Sequence, residues 1–150
     1  MKNKPDLSER LRKLRHKMSH DNIQGYIIPS TDAHLSPFVA DRDRRLRYMT
    51  GFTGSSGYAV VLATNESVLI TDGRYEIQAD EELDCSWQLI ISSRPMNAMI
   101  TWIKKNAKAG ARIASDARLI SQKNVSLRIC LLNISGHYTS LRKLIIDTKV

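Results

Sequence analysis

Apolar residues recur along this chain in two rhythms. From the start, Leu7, Leu11, Leu14 and Met18 fall at helical spacing with Arg and Lys between them, which predicts an amphipathic helix. Asp6-Leu7-Ser8-Glu9 has the form of a capping box at its entrance. Ile23 to Ile28 is a short apolar run closed by Pro29 and followed by Ser30-Thr31-Asp32, a strand that ends in turn chemistry. Asp41 to Met49 is densely charged with Leu46 and Met49 three apart, predicting a short helix stopped by Gly51. Tyr58 to Leu62 and Val68 to Ile70 are apolar runs joined by Thr64-Asn65-Glu66-Ser67, the signature of an antiparallel hairpin.

Beyond the hairpin the rhythm alternates. Glu76 to Leu83 is helix-permissive, Trp87 to Ile91 reads as a strand, and Met96, Met99, Ile100 and Ile103 form the stripe of a further helix ended by Gly110. Ala111 to Ala114 is a strand candidate, Gln122 to Leu132 a helix candidate, and Ser135-Gly136 a break before His137 to Thr139. Helices alternating with strands around one hairpin predict an α/β fold whose sheet is mixed and flanked by helices. Leu144-Ile145-Ile146 is apolar close to the last residue, which reads either as a junction towards a further domain or as a docked final strand.

A chain of 150 residues with 42% hydrophobic content is expected to form one domain. No stretch approaches the ~20 apolar residues of a membrane span, and the charged amino end has no apolar signal region, so a soluble intracellular protein is expected. Cys85 and Cys130 stand apart, without a CxxC pair or a histidine at ligand spacing; two reduced thiols are expected, not a disulfide framework or a zinc site. The formal charge of +8 raises nucleic-acid binding. Against it, the basic concentrations at 10–17 and 42–47 lack the interleaved aromatics of a single-strand binder.

A hydrolase needs an activated nucleophile or a metal with several ligands. His16 and His20 share a helical face but lack the intervening glutamate of H-E-x-x-H. Gly54-Ser55-Ser56-Gly57 misses the G-x-S-x-G spacing because Tyr58 stands where the second glycine is required. Gly51, Gly54 and Gly57 have no following Lys-Ser/Thr, as a phosphate cradle would. No catalytic or metal-ligating residue is therefore assigned. More pointed is Thr71-Asp72-Gly73-Arg74-Tyr75, where a carboxylate and a guanidinium follow a strand. Arg74 has the planar fork to grip a peptide carbonyl or carboxylate. The plainer reading, which residue chemistry alone favours, is that Asp72 caps the next helix and pairs with Arg74. Asp32-Ala33-His34 and the arginines 42, 44, 45 and 47 similarly read either as site residues or as an exposed turn and helix.

Three segments occur together in register. Gln24 to His34, containing Tyr26-Ile27-Ile28-Pro29-Ser30-Thr31-Asp32-Ala33-His34, resembles the strand and turn near the start of Xaa-Pro aminopeptidases of the creatinase/prolidase group. Arg45 to Gly57, with Thr50-Gly51-Phe52-Thr53-Gly54-Ser55-Ser56-Gly57, is similar to a second family segment, and Thr71 to Tyr75 matches a third. The resemblance implies a ribonuclease-H-like N-terminal domain, with the pita-bread catalytic domain absent from this chain. In that family the catalytic domain holds two divalent metals, usually manganese, through two Asp, one His and two Glu. The resemblance further implies a cytoplasmic homodimer acting on peptides with proline in second position, in which this domain supplies a cleft wall and dimer contact and is inactive alone. Carried over by position, Arg74 becomes the peptide contact in place of the plainer reading, Asp72 and Tyr75 hold its loop, and Asp32, His34, Arg45 and Phe52 border the cleft or interface. The competing expectation is a non-catalytic protein-interaction module built on the same fold, as in the N-terminal domain of a histone-chaperone subunit.

Overall fold

The computed structural model describes residues 7–36, 38–116 and 118–119. The first amphipathic stripe folds as α1 (Leu7–His20), burying Leu7, Leu11, Leu14 and Met18. Ile23 donates its N–H to the Met18 carbonyl at 2.8 Å and is itself buried. Strand β1 therefore starts after it, at Gly25–Pro29, two residues later than the apolar run suggests. The segment predicted as a helix over 41–49 is divided: a 3-10 turn at Asp41–Asp43, then α2 (Arg45–Thr50). Arg44 between them has φ −74° and ψ 67°, outside the helical region. Residues 41–44 offer no buried side chain that packing would reward, and only Leu46, Met49 and Thr50 are buried on α2. Gly51 ends the helix in the left-handed conformation at φ 80°, its N–H on the Arg47 carbonyl.

The hairpin forms as β2 (Tyr58–Leu62) and β3 (Ser67–Thr71), with Asn65 at φ 78° in its turn. A second 3-10 turn, Gly73–Tyr75, leads into α3 (Glu76–Glu82), then β4 (Gln88–Ile91) and α4 (Pro95–Asn106), which has proline in its first turn. Proline there is pre-set for the helix and lacks an N–H that would have no partner anyway. The last described strand is β5 (Ile113–Ser115). The expected helix at 122–132, Cys130, the break at 135–136, the segments 137–139 and 144–146, and the capping residue Asp6 lie outside the described residues.

The five strands form one sheet in the order β4-β3-β2-β1-β5. β2 is antiparallel to both β1 and β3, while β1 pairs parallel with β5 and β3 parallel with β4. This is the expected mixed α/β sheet. Alternation along the central strands feeds two cores. Tyr26, Ile28, Ala59, Val61 and Leu69 face α1, α2 and α3, burying Leu11, Met18, Leu46, Met49 and Ala79. Ile27, Val60, Leu62, Val68 and Ile70 face α4, burying Met99, Ile100, Trp102 and Ile103. Because both faces are covered, the central strands read as unbroken apolar runs.

The pairing has one consequence for function. β1, β3, β4 and β5 all run in one direction, so their C-terminal ends and the start of β2 share a single edge of the sheet. Residues 30–36, 53–57, 72–75, 92–94, 116 and 118–119 leave or enter strands at that rim.

Candidate peptide-binding rim

The three segments singled out in the sequence meet at this rim. Ser30 N–H donates to the Gly57 carbonyl at 3.1 Å, and Gly57 N–H to Ser30 Oγ at 3.3 Å, tying the loop after β1 to the loop before β2. Thr71 Oγ1 donates to the Ser56 carbonyl at 2.6 Å, and Ser55 Oγ lies 2.6 Å from Tyr75 Oη. The 53–57 loop is thus laced to its neighbours on both sides. Thr53 adds a link to α3 through its N–H and hydroxyl, which donate to the Glu82 carboxylate at 2.7 and 2.5 Å. Burial pushes Glu82 up, but Thr53, Gln78 and the nearby Arg47 outweigh it, so the carboxyl titrates below its usual range.

Asp72 and Arg74 form the most defined charged unit. Arg74 Nε donates to Asp72 Oδ1 at 2.8 Å, Arg74 Nη2 to Oδ2 at 2.9 Å, and Arg74 N–H to Oδ1 at 3.1 Å. Asp72 is the cap of the 3-10 turn, so the plainer sequence reading of a cap and a pair describes the observed contacts. The pair is asymmetric in exposure. The Asp72 side chain is 19% exposed and that of Arg74 71%. The guanidinium holds Asp72 well below the ordinary carboxylate range, and Asp72 in turn raises Arg74. A guanidinium has five N–H donors. The bidentate contact uses one edge of it, which leaves the outward donors facing solvent as an oriented cation.

Tyr75 sits beneath this unit, its ring 5.2 Å from the Arg74 guanidinium carbon and edge-on to Phe52 with centroids 5.7 Å apart. Phe52, expected at the cleft or interface, is instead fully buried. The left-handed Gly51 turns the chain inward after α2, and Thr50 Oγ1, which donates to the Leu46 carbonyl at 2.8 Å, accepts from Phe52 N–H at 3.0 Å. Gly54 lies directly over the Phe52 ring: a Cβ there would stand 2.1 Å from Phe52 Cζ. Phe52 therefore meets the rim from beneath, through Tyr75 and Gly54.

Asp32 is also inward. Buried beneath its loop, it accepts from the N–H groups of Ser36 at 2.8 Å and His34 at 3.0 Å. The Ser36 bond leads the causes that lower its pKa. Asp32 shapes the loop, while His34 is exposed on it. Leu35 and Phe38 on the same segment are 52% and 90% exposed. Arg45 is half-buried on α2, and its Nη1 is buried with no hydrogen-bond partner among the described residues.

One charged unit at the rim escaped the sequence reading. After β5, Arg118 Nε and N–H each donate to Asp116 Oδ1 at 3.0 Å, and Arg118 Nη2 to Oδ2 at 2.7 Å. The geometry repeats that of Asp72 and Arg74, and the available signal was the same Asp-x-Arg spacing after a strand. Burial raises Asp116, but Arg118 and then Arg45 outweigh it and leave the carboxyl low. Thr31 Oγ1 donates to the Leu119 carbonyl at 2.6 Å, fixing this loop beside the loop after β1.

A cleft of about 150 Å³ opens between the loop after β1, the loop before β2 and α2, lined by Ser30, Thr31, Phe38, Leu46, Gly54 and Ser55 among others. A larger hollow of about 470 Å³ lies between α1, α2 and α3, but its charges face one another. Asp41 pairs with Arg44 at 3.3 Å and with Arg47 at 3.6 Å, and Arg10 bonds the Tyr48 carbonyl. Among the described residues no three His, Cys, Asp or Glu side chains converge as a metal site would require; His16 and His20 are exposed on α1, and His20 contacts Asp21 at 2.8 Å. No described helix is long and apolar enough to cross a membrane.

Residues 10–130 match the family model of the creatinase/prolidase N-terminal domain. The human protein Xaa-Pro aminopeptidase 2 is 40% identical over 110 residues, covering 72% of this chain and 16% of that protein. Xaa-Pro aminopeptidase 1 of Dictyostelium discoideum is 35% identical over 119 residues, covering 77% of the chain and 18% of that protein. Among solved structures, X-prolyl aminopeptidase from Caenorhabditis elegans, described as a cytosolic enzyme with a di-nuclear active site, superposes with a TM-score of 0.76 at 33% identity. That match covers 85% of this chain and 22% of the worm enzyme. The isolated N-terminal domain of a cytoplasmic peptidase from Mycobacterium tuberculosis shares the fold at a TM-score of 0.67 and 19% identity, over 86% of this chain and 89% of that domain. The chain thus spans about a fifth or less of the length of these two aminopeptidases. On these matches and on the mixed sheet with its laced rim, the chain belongs to the creatinase/prolidase N-terminal domain family.

Proposed function

We propose that this chain is the substrate-cleft and dimerisation domain of a metal-dependent, cytoplasmic Xaa-Pro aminopeptidase, an enzyme that removes the N-terminal residue from peptides with proline in second position. The observation that carries the reading is the convergence of three segments, 30–36, 53–57 and 72–75, at one rim. There the oriented Arg74 guanidinium stands over Tyr75, which contacts Ser55 in the lining of the cleft. Holding a peptide in one geometry is a catalytic contribution in itself, since it removes freedom that the reaction would otherwise have to quench.

The described residues do not fit a two-metal centre, because they supply no converging donor set. The metals, manganese in this proposal, belong with a catalytic domain beyond these residues, and this domain alone is inactive. Arg74 grips a carbonyl or carboxylate of the peptide, Asp72 sets the orientation of its fork, and Tyr75, propped by Phe52, supports the guanidinium from below. Leu35 and Phe38, exposed on the loop after β1, supply apolar surface for the homodimer contact. The same exposure favours a second reading, a non-catalytic interaction module that uses this rim for protein contact.

The test is Arg74→Ala in the full-length enzyme. Catalytic efficiency on Xaa-Pro peptides falls about tenfold or more, as for loss of a charge-assisted contact, while bound metal is unchanged. Unaltered kinetics would remove Arg74 from the cleft and favour the interaction module.

A further inference from the structure

The rim carries two copies of one device. Asp72-Gly73-Arg74 follows β3, and Asp116-Ala117-Arg118 follows β5. In both, the aspartate accepts the arginine N–H and Nε on Oδ1 and Nη2 on Oδ2. In both the carboxylate is mostly covered and the guanidinium open: the side chains are 19% and 71% exposed in the first pair, 11% and 53% in the second. Two properties follow from the shared geometry. The aspartate side is satisfied, and each guanidinium presents its remaining donors outward with its orientation already fixed, so less side-chain freedom is lost when a ligand arrives.

The surroundings of the second pair differ in charge. Arg45 lies close enough to help hold Asp116 ionised, and its Nη1 is buried without a hydrogen-bond partner among the described residues. Two cations thus face one carboxylate at this corner, an excess that favours an anionic ligand.

The strand order sets the spacing. β2 and β1 lie between β3 and β5, so the two pairs are three strand spacings apart, about 14 Å across the sheet. An extended peptide advances about 3.3 Å per residue, so at least four residues are needed to reach from one guanidinium to the other. In the strand order the loops after β1 and before β2 lie between them, and these loops together with α2 line the 150 Å³ cleft.

We infer that Arg118 is a second peptide anchor, taking a carboxylate of an extended peptide at least four residues from the group that Arg74 holds. The rim therefore selects for longer peptides with an acidic far end over dipeptides and neutral peptides. This rests on the cleft reading above and adds to it a substrate class. Arg118 is a binding residue here, and Asp116 and Arg45 are its positioning residues.

The experiment measures binding of three probes to the 150-residue chain by calorimetry: Ala-Pro-Ala-Ala-Ala-Glu, its neutral counterpart Ala-Pro-Ala-Ala-Ala-Gln-amide, and Ala-Pro-amide. The wild-type chain prefers the acidic hexapeptide to the neutral one by about fivefold, the upper range for an exposed charge pair. Arg118→Gln removes that preference and leaves the other two probes within about twofold. Because the single change strands a covered carboxylate, Asp116→Asn/Arg118→Gln is measured alongside it, and its melting temperature reports that the fold is kept. Loss of the preference in either folded variant supports the second anchor. A retained preference overturns it, as does a wild-type chain that binds the two hexapeptides equally. Arg74→Gln separates the two levels: it weakens all three probes if the cleft reading holds. Should it leave all three unchanged, the cleft reading fails whatever Arg118 does.

Discussion

Gly54→Ala places a methyl group where the Phe52 ring already stands. Its Cβ would lie 2.1 Å from Phe52 Cζ and 2.8 Å from both Cε atoms, far inside van der Waals contact. A flexible side-chain end would swing aside, but Phe52 is fully buried and held edge-on against Tyr75. The ring can yield only by pushing into Tyr75 or the core between α1 and the sheet. Overpacking of this kind costs about 1–3 kcal/mol, which for a domain of this size lowers the melting temperature by roughly 3–10 °C. Thermal unfolding followed by circular dichroism at 222 nm measures it. Phe52→Leu shortens the offending ring, so Phe52→Leu/Gly54→Ala should lose less stability than the sum of the two single changes. A Gly54→Ala melting temperature within about 1 °C of wild type, or strict additivity in the double variant, would refute the placement of Phe52 as the prop beneath Tyr75.

Two further outcomes follow from the local chemistry. Asp116 titrates below the ordinary carboxylate range in the folded chain, so its stabilisation is full above the unfolded value and is lost as pH falls through the folded one. The stability difference between wild type and Asp116→Asn should accordingly be flat from about pH 5 to 8 and shrink below about pH 4; a difference that grows on acidification would contradict the pairing. Gly51→Ala forces an L side chain into φ 80° with Leu7 Cδ1 at 3.3 Å, costing about 1–2 kcal/mol by urea denaturation. Gly51→Asn should cost less, because asparagine tolerates that conformation.

The elements most legible in the sequence were those whose period and packing agree. The stripe Leu7, Leu11, Leu14 and Met18 is buried as its spacing requires, and the runs at 58–62 and 68–70 pair through the turn their linker encodes. Where a segment has little to bury, period alone misleads. Residues 41–44 bury nothing, and the chain breaks at Arg44 instead of continuing as one helix. Phe52 shows the opposite failure. Its position in the family segment placed it at the cleft or interface, yet Gly51 and Gly54 let the aromatic ring turn inward and be covered by backbone. The rim itself depends on strand order, a long-range property: nothing local says that residues 72–75 and 116–119 leave the same edge, so the second Asp-x-Arg unit carried no weight until β5 paired with β1.

The account stands on the claim that the rim formed by residues 30–36, 53–57, 72–75, 116 and 118–119 faces the peptide. A photo-crosslinking Xaa-Pro peptide, bound to the full-length protein and mapped by mass spectrometry, tests this directly. The account predicts labelling concentrated in those four loops and competed away by unlabelled peptide. Competable labelling on α4, with the rim untouched, would contradict it.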